Sequence, residues 1–191
     1  TVAGNPISWN SVSDAFVEAG KLYYVESSTL RSRTFDGTTL TYRPTYSINY
    51  SAAGGAGFTS IAGTGTALNI ANDANVLRAI GFSFNFYGTA YTQLYVSDNG
   101  YVTFGSGVND GNNVAMTAGT VLGGRPAIAA YWDQLNPSLA GAVDVFVQTV
   151  GVAGSREFIV QWNDLRVTGG TTGGTVQLRL SEATGQVQVL Y

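Results

Sequence analysis

The chain has 191 residues, of which 45% are apolar and only 11% charged, with a net charge of −3, so it can bury a sizeable core and must solvate its surface with uncharged polar groups. Histidine and cysteine are both absent, which excludes Ser-His-Asp and Cys-His catalysis, imidazole or thiolate metal sites, and disulfide bridges. The nine basic residues are scattered and no apolar run approaches the roughly 20 residues that span a bilayer, so the sequence predicts neither a nucleic-acid partner nor membrane insertion.

The first predicted unit is a small β-meander within residues 1–53. Strands are expected at 21–25 and 29–35, and the Asp36-Gly37 pair predicts a tight turn because both of its positions favour positive φ. Only two short segments, 11–19 and 71–77, have helix-compatible patterns. Gly, Ala, Ser and Thr dominate the next segment, 51–65, which is typical of a linker or a long surface connection, and we place the domain boundary between residues 53 and 54.

The second predicted unit, 54–191, is a series of short strands with apolar residues at every second position. Gly, Asn and Asp bound these strands at intervals that are typical of sandwich domains. The fold class predicted for the chain is therefore all-β, an antiparallel β-sandwich with an N-terminal β-meander. The expected strands are 82–87, 93–97, 101–104, 127–132, 144–149, 157–162, 175–181 and 186–191.

An ordered set of motifs runs through this second unit. It comprises Phe82-x-Phe84-x-Phe86-Tyr87-Gly88, Val96-Ser97-Asp98-Asn99-Gly100-Tyr101, Tyr131-Trp132-Asp133, Gln161-Trp162-Asn163 and the closing Val187-Gln188-Val189-Leu190-Tyr191. In this order the motifs resemble the nidogen-type (NIDO-like) extracellular domain of bacterial secreted proteins. The resemblance covers about residues 58–191. It implies an extracellular β-sandwich of adhesion, matrix or cell-surface function without catalysis. Animal relatives lie beside Cys-rich modules, so the lack of Cys favours a microbial source.

Two stretches of the first unit, Gly20-Lys21-Leu22-Tyr23-Tyr24 and the segment 30–40, form a second set of motifs. On these stretches, residues 15–50 resemble part of a blade from a secreted bacterial β-propeller. The segment is too short to form a propeller. It is expected either to pack as extra strands against the sandwich or to end a larger array.

Two groups of residues are candidate binding sites. The first group combines an aromatic platform with polar groups, as a sugar site would, and consists of Tyr131, Trp132, Asp133 and Asn136. Alternatively, Trp132 is a core residue and Asp133 caps the following turn. A weaker calcium hypothesis rests on the oxygen atoms of Asp98, Asn99 and Asp110, in segments that are equally typical of turns.

The function predicted from these features is a non-enzymatic, secreted or cell-surface structural and adhesion module. Its expected partners are other surface or matrix proteins, glycans, or copies of itself added at open sheet edges. No recognisable pair of acids suggests glycoside hydrolysis, and no cofactor is expected beyond calcium. The alternative, motivated by an aromatic content of 12%, is a carbohydrate-binding module of a secreted multidomain hydrolase.

Overall fold

Strands and turns make up nearly all of the regular structure in the described part of this chain. The computed structural model describes residues 12–18, 21–26, 29–34, 57–112, 114, 121–139, 144–171 and 173–191, and within these ranges there is no α-helix. The predicted all-β class is confirmed. The chain divides into two compact units, residues 1–43 and 44–191. The boundary predicted between residues 53 and 54 and the turn predicted at Asp36-Gly37 lie outside the described residues.

The first unit contains a three-stranded antiparallel meander, in which β1 (Val12–Glu18) pairs with β2 (Lys21–Glu26), and β2 pairs with β3 (Thr29–Thr34). Strands β2 and β3 match the strands predicted at 21–25 and 29–35. The helix-compatible segment 11–19 is instead mostly strand β1, so that expectation is wrong. Pairing with β2 provides the backbone hydrogen-bond partners of β1, and such pairing outweighs weak local preferences.

Two antiparallel sheets form the second unit. The first is six-stranded, with the order β13-β12-β11-β10-β4 and with β9 added beside β11. The second is four-stranded, with the order β5-β6-β7-β8. The strand bounds are β4 (Thr66–Ala67), β5 (Asn75–Phe86), β6 (Thr89–Ser97), β7 (Tyr101–Thr103), β8 (Ala127–Ala129), β9 (Leu135–Asn136), β10 (Asp144–Val150), β11 (Glu157–Val167), β12 (Gly173–Ser181) and β13 (Val187–Leu190). Strand β5 includes the end of the other helix-compatible segment, 71–77, where the expectation of helix is again wrong.

Period-two alternation determines which side chains of β5 enter the core. Ile80, Phe82, Phe84 and Phe86 are buried, whereas the residues between them are exposed. Large apolar side chains from both sheets meet them in one cluster, and burial of each such side chain stabilises the fold by about 1.5–3 kcal/mol. The members that the six-stranded sheet contributes include Val145, Val147, Phe158, Val160, Trp162, Val176, Leu178 and Leu180.

Residues 57–65, here called the strap, cover part of the outer face of the six-stranded sheet. Gln161 and Gln177, both fully buried, hold the strap in place. The Gln161 Oε1 atom accepts hydrogen bonds from the Ile61 backbone N–H at 2.9 Å and from Gln177 Nε2 at 2.7 Å, while Gln177 Nε2 also donates to the Thr59 carbonyl at 2.7 Å. The two buried side-chain amides therefore have hydrogen-bond partners, which offset the free-energy cost of removing them from water.

Arg156 connects the two sheets at one corner of the sandwich. Its guanidinium makes two hydrogen bonds to the Glu182 carboxylate, at 2.8 and 2.6 Å, and donates a third to the Gly81 carbonyl of β5 at 2.6 Å. The same group lies 5.6 Å from the centroid of the Phe82 ring. Hydrogen bonds from Arg156 lower the pKa of Glu182 to about 2, so this contact is fully formed at neutral pH.

Candidate functional site

Trp132, the predicted aromatic platform, lies just after β8 with only 8% of its surface exposed. Its ring meets the Tyr101 ring edge-on at 6.3 Å between centroids, and its Nε1–H donates to the Asp110 carbonyl at 2.9 Å. Together with Leu122 these two rings form a small apolar cluster separate from the main core. Little of the Trp132 ring is therefore open to a ligand.

The other three predicted ligand residues lie in the same segment and differ in their contacts. The Tyr131 ring packs against Gly174, where an added Cβ would be 3.3 Å from Tyr131 Cε1. Asp133 Oδ1 accepts from the Gln134 N–H at 2.8 Å, and Asn136 Oδ1 accepts from the Ser138 N–H at 2.8 Å. All three side chains are half-buried, and both polar ones hold turns.

Asp98 and Asn99, two of the calcium candidates, form the turn between β6 and β7 and are fully buried. The Asp98 carboxylate accepts from the Asp73 N–H at 2.8 Å and from the Ala74 N–H at 3.1 Å. Asn99 Oδ1 accepts from the Leu135 N–H at 2.9 Å. This turn, which we call the buried turn, therefore anchors two segments that are distant in the chain.

Asp110, the third calcium candidate, lies beside the Trp132 cluster instead. Its N–H donates to the Tyr101 hydroxyl at 2.9 Å, and its Oδ1 accepts from the Asn112 N–H at 2.9 Å. The structure thus brings Asp98 and Asn99 together and joins Asp110 to Trp132. Within the described residues, no three acidic, His or Cys side chains are grouped as a metal site would require.

Burial raises the pKa of Asp98 from 3.8 to about 6. Removal of the carboxylate from water is the largest cause, and the negative charge of nearby Asp73 adds to it. The backbone N–H groups of Asp73 and Ala74 lower the pKa, but by less. The buried turn is therefore an ionisable element of the fold whose charge changes under mildly acidic conditions.

A pH dependence of stability follows from this shift. Between pH 3.8 and about 6 the folded state binds a proton that the unfolded state does not bind, so the contribution of Asp98 to stability decreases as the pH rises through this window. At about 1.4 kcal/mol per pKa unit, the decrease is at most about 3 kcal/mol. We expect Asp98→Asn to remove this slope, measured as the free energy of unfolding in urea from pH 3.5 to 7.

The substituted amide offers one acceptor oxygen to two backbone N–H groups, so Asp98→Asn should be less stable than the wild type at pH 3.5, by about 1–3 kcal/mol. This deficit should shrink as the pH rises to 7, because only the wild type loses stability between pH 3.8 and about 6. Asp110→Asn, at a carboxylate that is only half-buried, is the control and should keep the wild-type slope. A wild-type slope that persists in Asp98→Asn would contradict the assignment.

Strand β13 lies at the end of the six-stranded sheet, and no other described strand pairs with its outer side; we call it an open edge in this sense. It pairs with β12 in a continuous register from Gln177↔Leu190 to Leu180↔Val187, without a bulge. The adjoining hairpin hydrogen bond runs from the Ser181 N–H to the Gln186 carbonyl at 3.0 Å. Because antiparallel pairs alternate, the N–H and C=O groups of Val187 and Val189 point away from β12. The strand contains no charge and no Pro, the usual protections of an edge.

The sequence model of the family described as NIDO related matches residues 45–191. The chain belongs to this NIDO-related family. The match includes both sheets of the sandwich and begins at residue 45, before the resemblance recognised over about residues 58–191. Membership in the NIDO-related family indicates an extracellular module. The comparisons found no matching curated protein and no matching solved structure. Over the described ranges, no helix has the length and apolar character needed to cross a membrane.

Proposed function

We propose that this NIDO-related chain is a non-enzymatic structural and adhesion module, secreted or displayed at the cell surface, that associates with copies of itself through β13. The observation that carries the proposal is the unprotected edge formed by Val187–Leu190. Natural sheets usually block such edges with charges, Pro or bulges, because free N–H and C=O groups recruit another strand. An open edge in an extracellular module favours assembly.

The geometry of β13 suits a symmetric pairing between two copies. In an antiparallel β13–β13 contact around a two-fold axis, the outward groups of Val187 in one copy can pair with those of Val189 in the other. The two six-stranded sheets would then continue into each other. Four residues span only about 13 Å, so one such contact is short and should form a weak dimer.

The contacts of the acidic side chains support a non-catalytic role. Asp98 has the raised pKa that often marks a catalytic acid, but its side chain is fully buried and bonded to backbone N–H groups. A general acid has to reach the substrate directly or through one water. Glu182, the other strongly shifted carboxylate, is engaged by Arg156. Both carboxylates, of Asp98 and of Glu182, therefore have structural roles.

The substitution Val187→Pro tests whether two copies of the chain associate through β13. Val187 is the first residue of β13, where Pro is tolerated, and the substitution removes an N–H that points away from β12. We expect the wild type to show a concentration-dependent dimer by sedimentation velocity between 10 and 500 μM, and Val187→Pro to weaken it at least tenfold. Val187→Ala, which loses a similar side chain but keeps the N–H, should dimerise like the wild type.

Thermal unfolding of both variants checks that each is folded. A wild type that is monomeric over the whole range, or a dimer that Val187→Pro leaves intact, would overturn the proposal for β13.

A further inference from the structure

A shallow groove of about 250 Å³ lies on the four-stranded sheet. Its lining residues come from β5, β6 and the segment after β7: Leu77, Ala90, Tyr91, Thr92, Gln93, Tyr95 and Gly105. The volume is below that of most enclosed small-molecule pockets, which suits a ligand that lies along the surface.

Gln93 and Tyr95, which lie two residues apart on β6, point to the same face of the strand because side chains alternate between the two faces. Both line the groove together with Tyr91, and each of the two tyrosines is half-buried. The pairing of β5 and β6 is irregular beside the groove: Leu77 is opposite Tyr95 and Ala79 is opposite Gln93, but the next pair is Phe84 with Tyr91. Residues 80–83 of β5 therefore have only Thr92 opposite them, as in a bulge.

Neighbouring groups hold both tyrosine rings in position. The Tyr91 ring lies 4.7 Å from the Phe104 ring at the edge of the core. Beside Tyr95, a Cβ added at Gly107 would be 2.9 Å from Tyr95 Cδ1, so the backbone of this segment lies against the ring. Asn75 fixes the segment by donating a hydrogen bond to Asn109. A ligand would therefore meet aromatic groups that are already ordered, which lowers the entropy cost of binding.

We propose that this groove binds a neutral saccharide. No Asp, Glu, Lys or Arg lines it, so it offers no counter-charge to an ionic ligand. Tyr95 and Leu77 provide an apolar floor for a face of a sugar ring, while the Thr92 and Gln93 side chains can donate to and accept from hydroxyl groups. A wholly apolar ligand would leave the Gln93 amide desolvated without a partner.

This inference extends the adhesion part of the proposed function to glycans and does not depend on β13. The groove belongs to the four-stranded sheet and β13 to the six-stranded sheet. Dimerisation and saccharide binding can therefore fail separately, and the Val187→Pro variant should bind saccharide as the wild type does.

The test is titration of the ¹⁵N-labelled full chain with cellotetraose, xylotetraose, mannotetraose and chitotetraose, and with tetragalacturonate as the charged counterpart. We expect at least one neutral tetrasaccharide to bind below 1 mM and to shift the amide signals of Gln93 and Tyr95. Tyr95→Ala should weaken binding at least tenfold, whereas Tyr95→Phe, which keeps the ring, should stay within threefold of wild type.

Gln93→Ala, at an exposed position, should weaken binding three- to tenfold without loss of thermal stability, so the proposal stays testable if Tyr95→Ala unfolds. Tyr191→Ala removes a tyrosine that follows β13, is 75% exposed and does not line the groove, so it is the matched control, with unchanged binding. Absence of binding to all four neutral sugars at 5 mM, preference for tetragalacturonate, or binding that is insensitive to Tyr95→Ala and Gln93→Ala would overturn the proposal.

Discussion

Substitution of Trp162 by Ala is expected to lower the free energy of unfolding by about 3–5 kcal/mol, at the high end for a single core residue. Trp162 is fully buried near the middle of β11, between Val145 of β10 and Val176 of β12. Its Nε1–H donates to the Ser97 carbonyl of β6 at 2.8 Å, so the side chain also bonds one sheet to the other. Removal of the ring leaves both a cavity and an unpaired carbonyl.

Urea denaturation of wild type, Trp162→Ala and Trp162→Phe separates these two effects. Phe fills much of the volume but cannot donate to the Ser97 carbonyl, so Trp162→Phe should cost about 1–3 kcal/mol. The difference in free energy of unfolding between Trp162→Ala and Trp162→Phe then measures the effect of the cavity. A loss below about 2 kcal/mol in Trp162→Ala would mean that the two sheets do not depend on this side chain.

Gly100→Ala is expected to destabilise the domain by more than about 3 kcal/mol, through backbone strain and a steric clash. Gly100, in the buried turn, has a φ of +77°, and a Cβ at this position would lie 2.0 Å from the Tyr131 carbonyl oxygen and 2.5 Å from the carbonyl carbon. The Gly100 carbonyl also accepts from the N–H groups of Ala130 and Tyr131 at 3.0 and 2.9 Å. Relief of the clash would break these bonds.

Gly185→Ala is the matched control for this prediction. Gly185 has a φ of +66° and an added Cβ would have no atom within 4 Å, so only the left-handed backbone is penalised, by about 1–2 kcal/mol. Thermal and urea unfolding of both variants provide the comparison. Equal losses would show that Gly100 is required for its φ alone and not for the close approach of Tyr131.

The sequence alone predicted the strands of the sandwich and the family with good accuracy. Alternation within 82–87 indicated which side chains of β5 face the core, because neighbouring side chains on a strand point to opposite faces. Segment 11–19 was misinterpreted because apolar residues in a short window fit either a helix or a strand. The hydrogen bonds that decide between them come from β2.

The candidate site was harder to predict, because its character depends on which residues become neighbours. Nothing near Asp98 in the chain indicates full burial of the turn, which depends on contacts of Asp98 with Asp73 and Ala74 and of Asn99 with Leu135. The groove at Tyr95 was missed, although alternation along β6 places Gln93 and Tyr95 on one face of the strand. Leu77 of β5 and Gly105, which complete the groove, come from other segments, so no local pattern shows that they lie beside these side chains.

By itself, then, the sequence determined the period-two strands, the apolar face of each strand and the NIDO-related family. It also determined the absence of His and Cys chemistry. All of these are local or compositional properties. Tertiary structure alone decided that Gln161 and Gln177 are buried by the strap, that Asp98 has a raised pKa, that β13 lies at an open edge and that two tyrosines share a groove. Each of these depends on groups brought together across a large separation in the chain, as with the Ile61 N–H and Gln161, 100 residues apart. Burial, and with it the strength of charges and hydrogen bonds, is a property of that assembled neighbourhood.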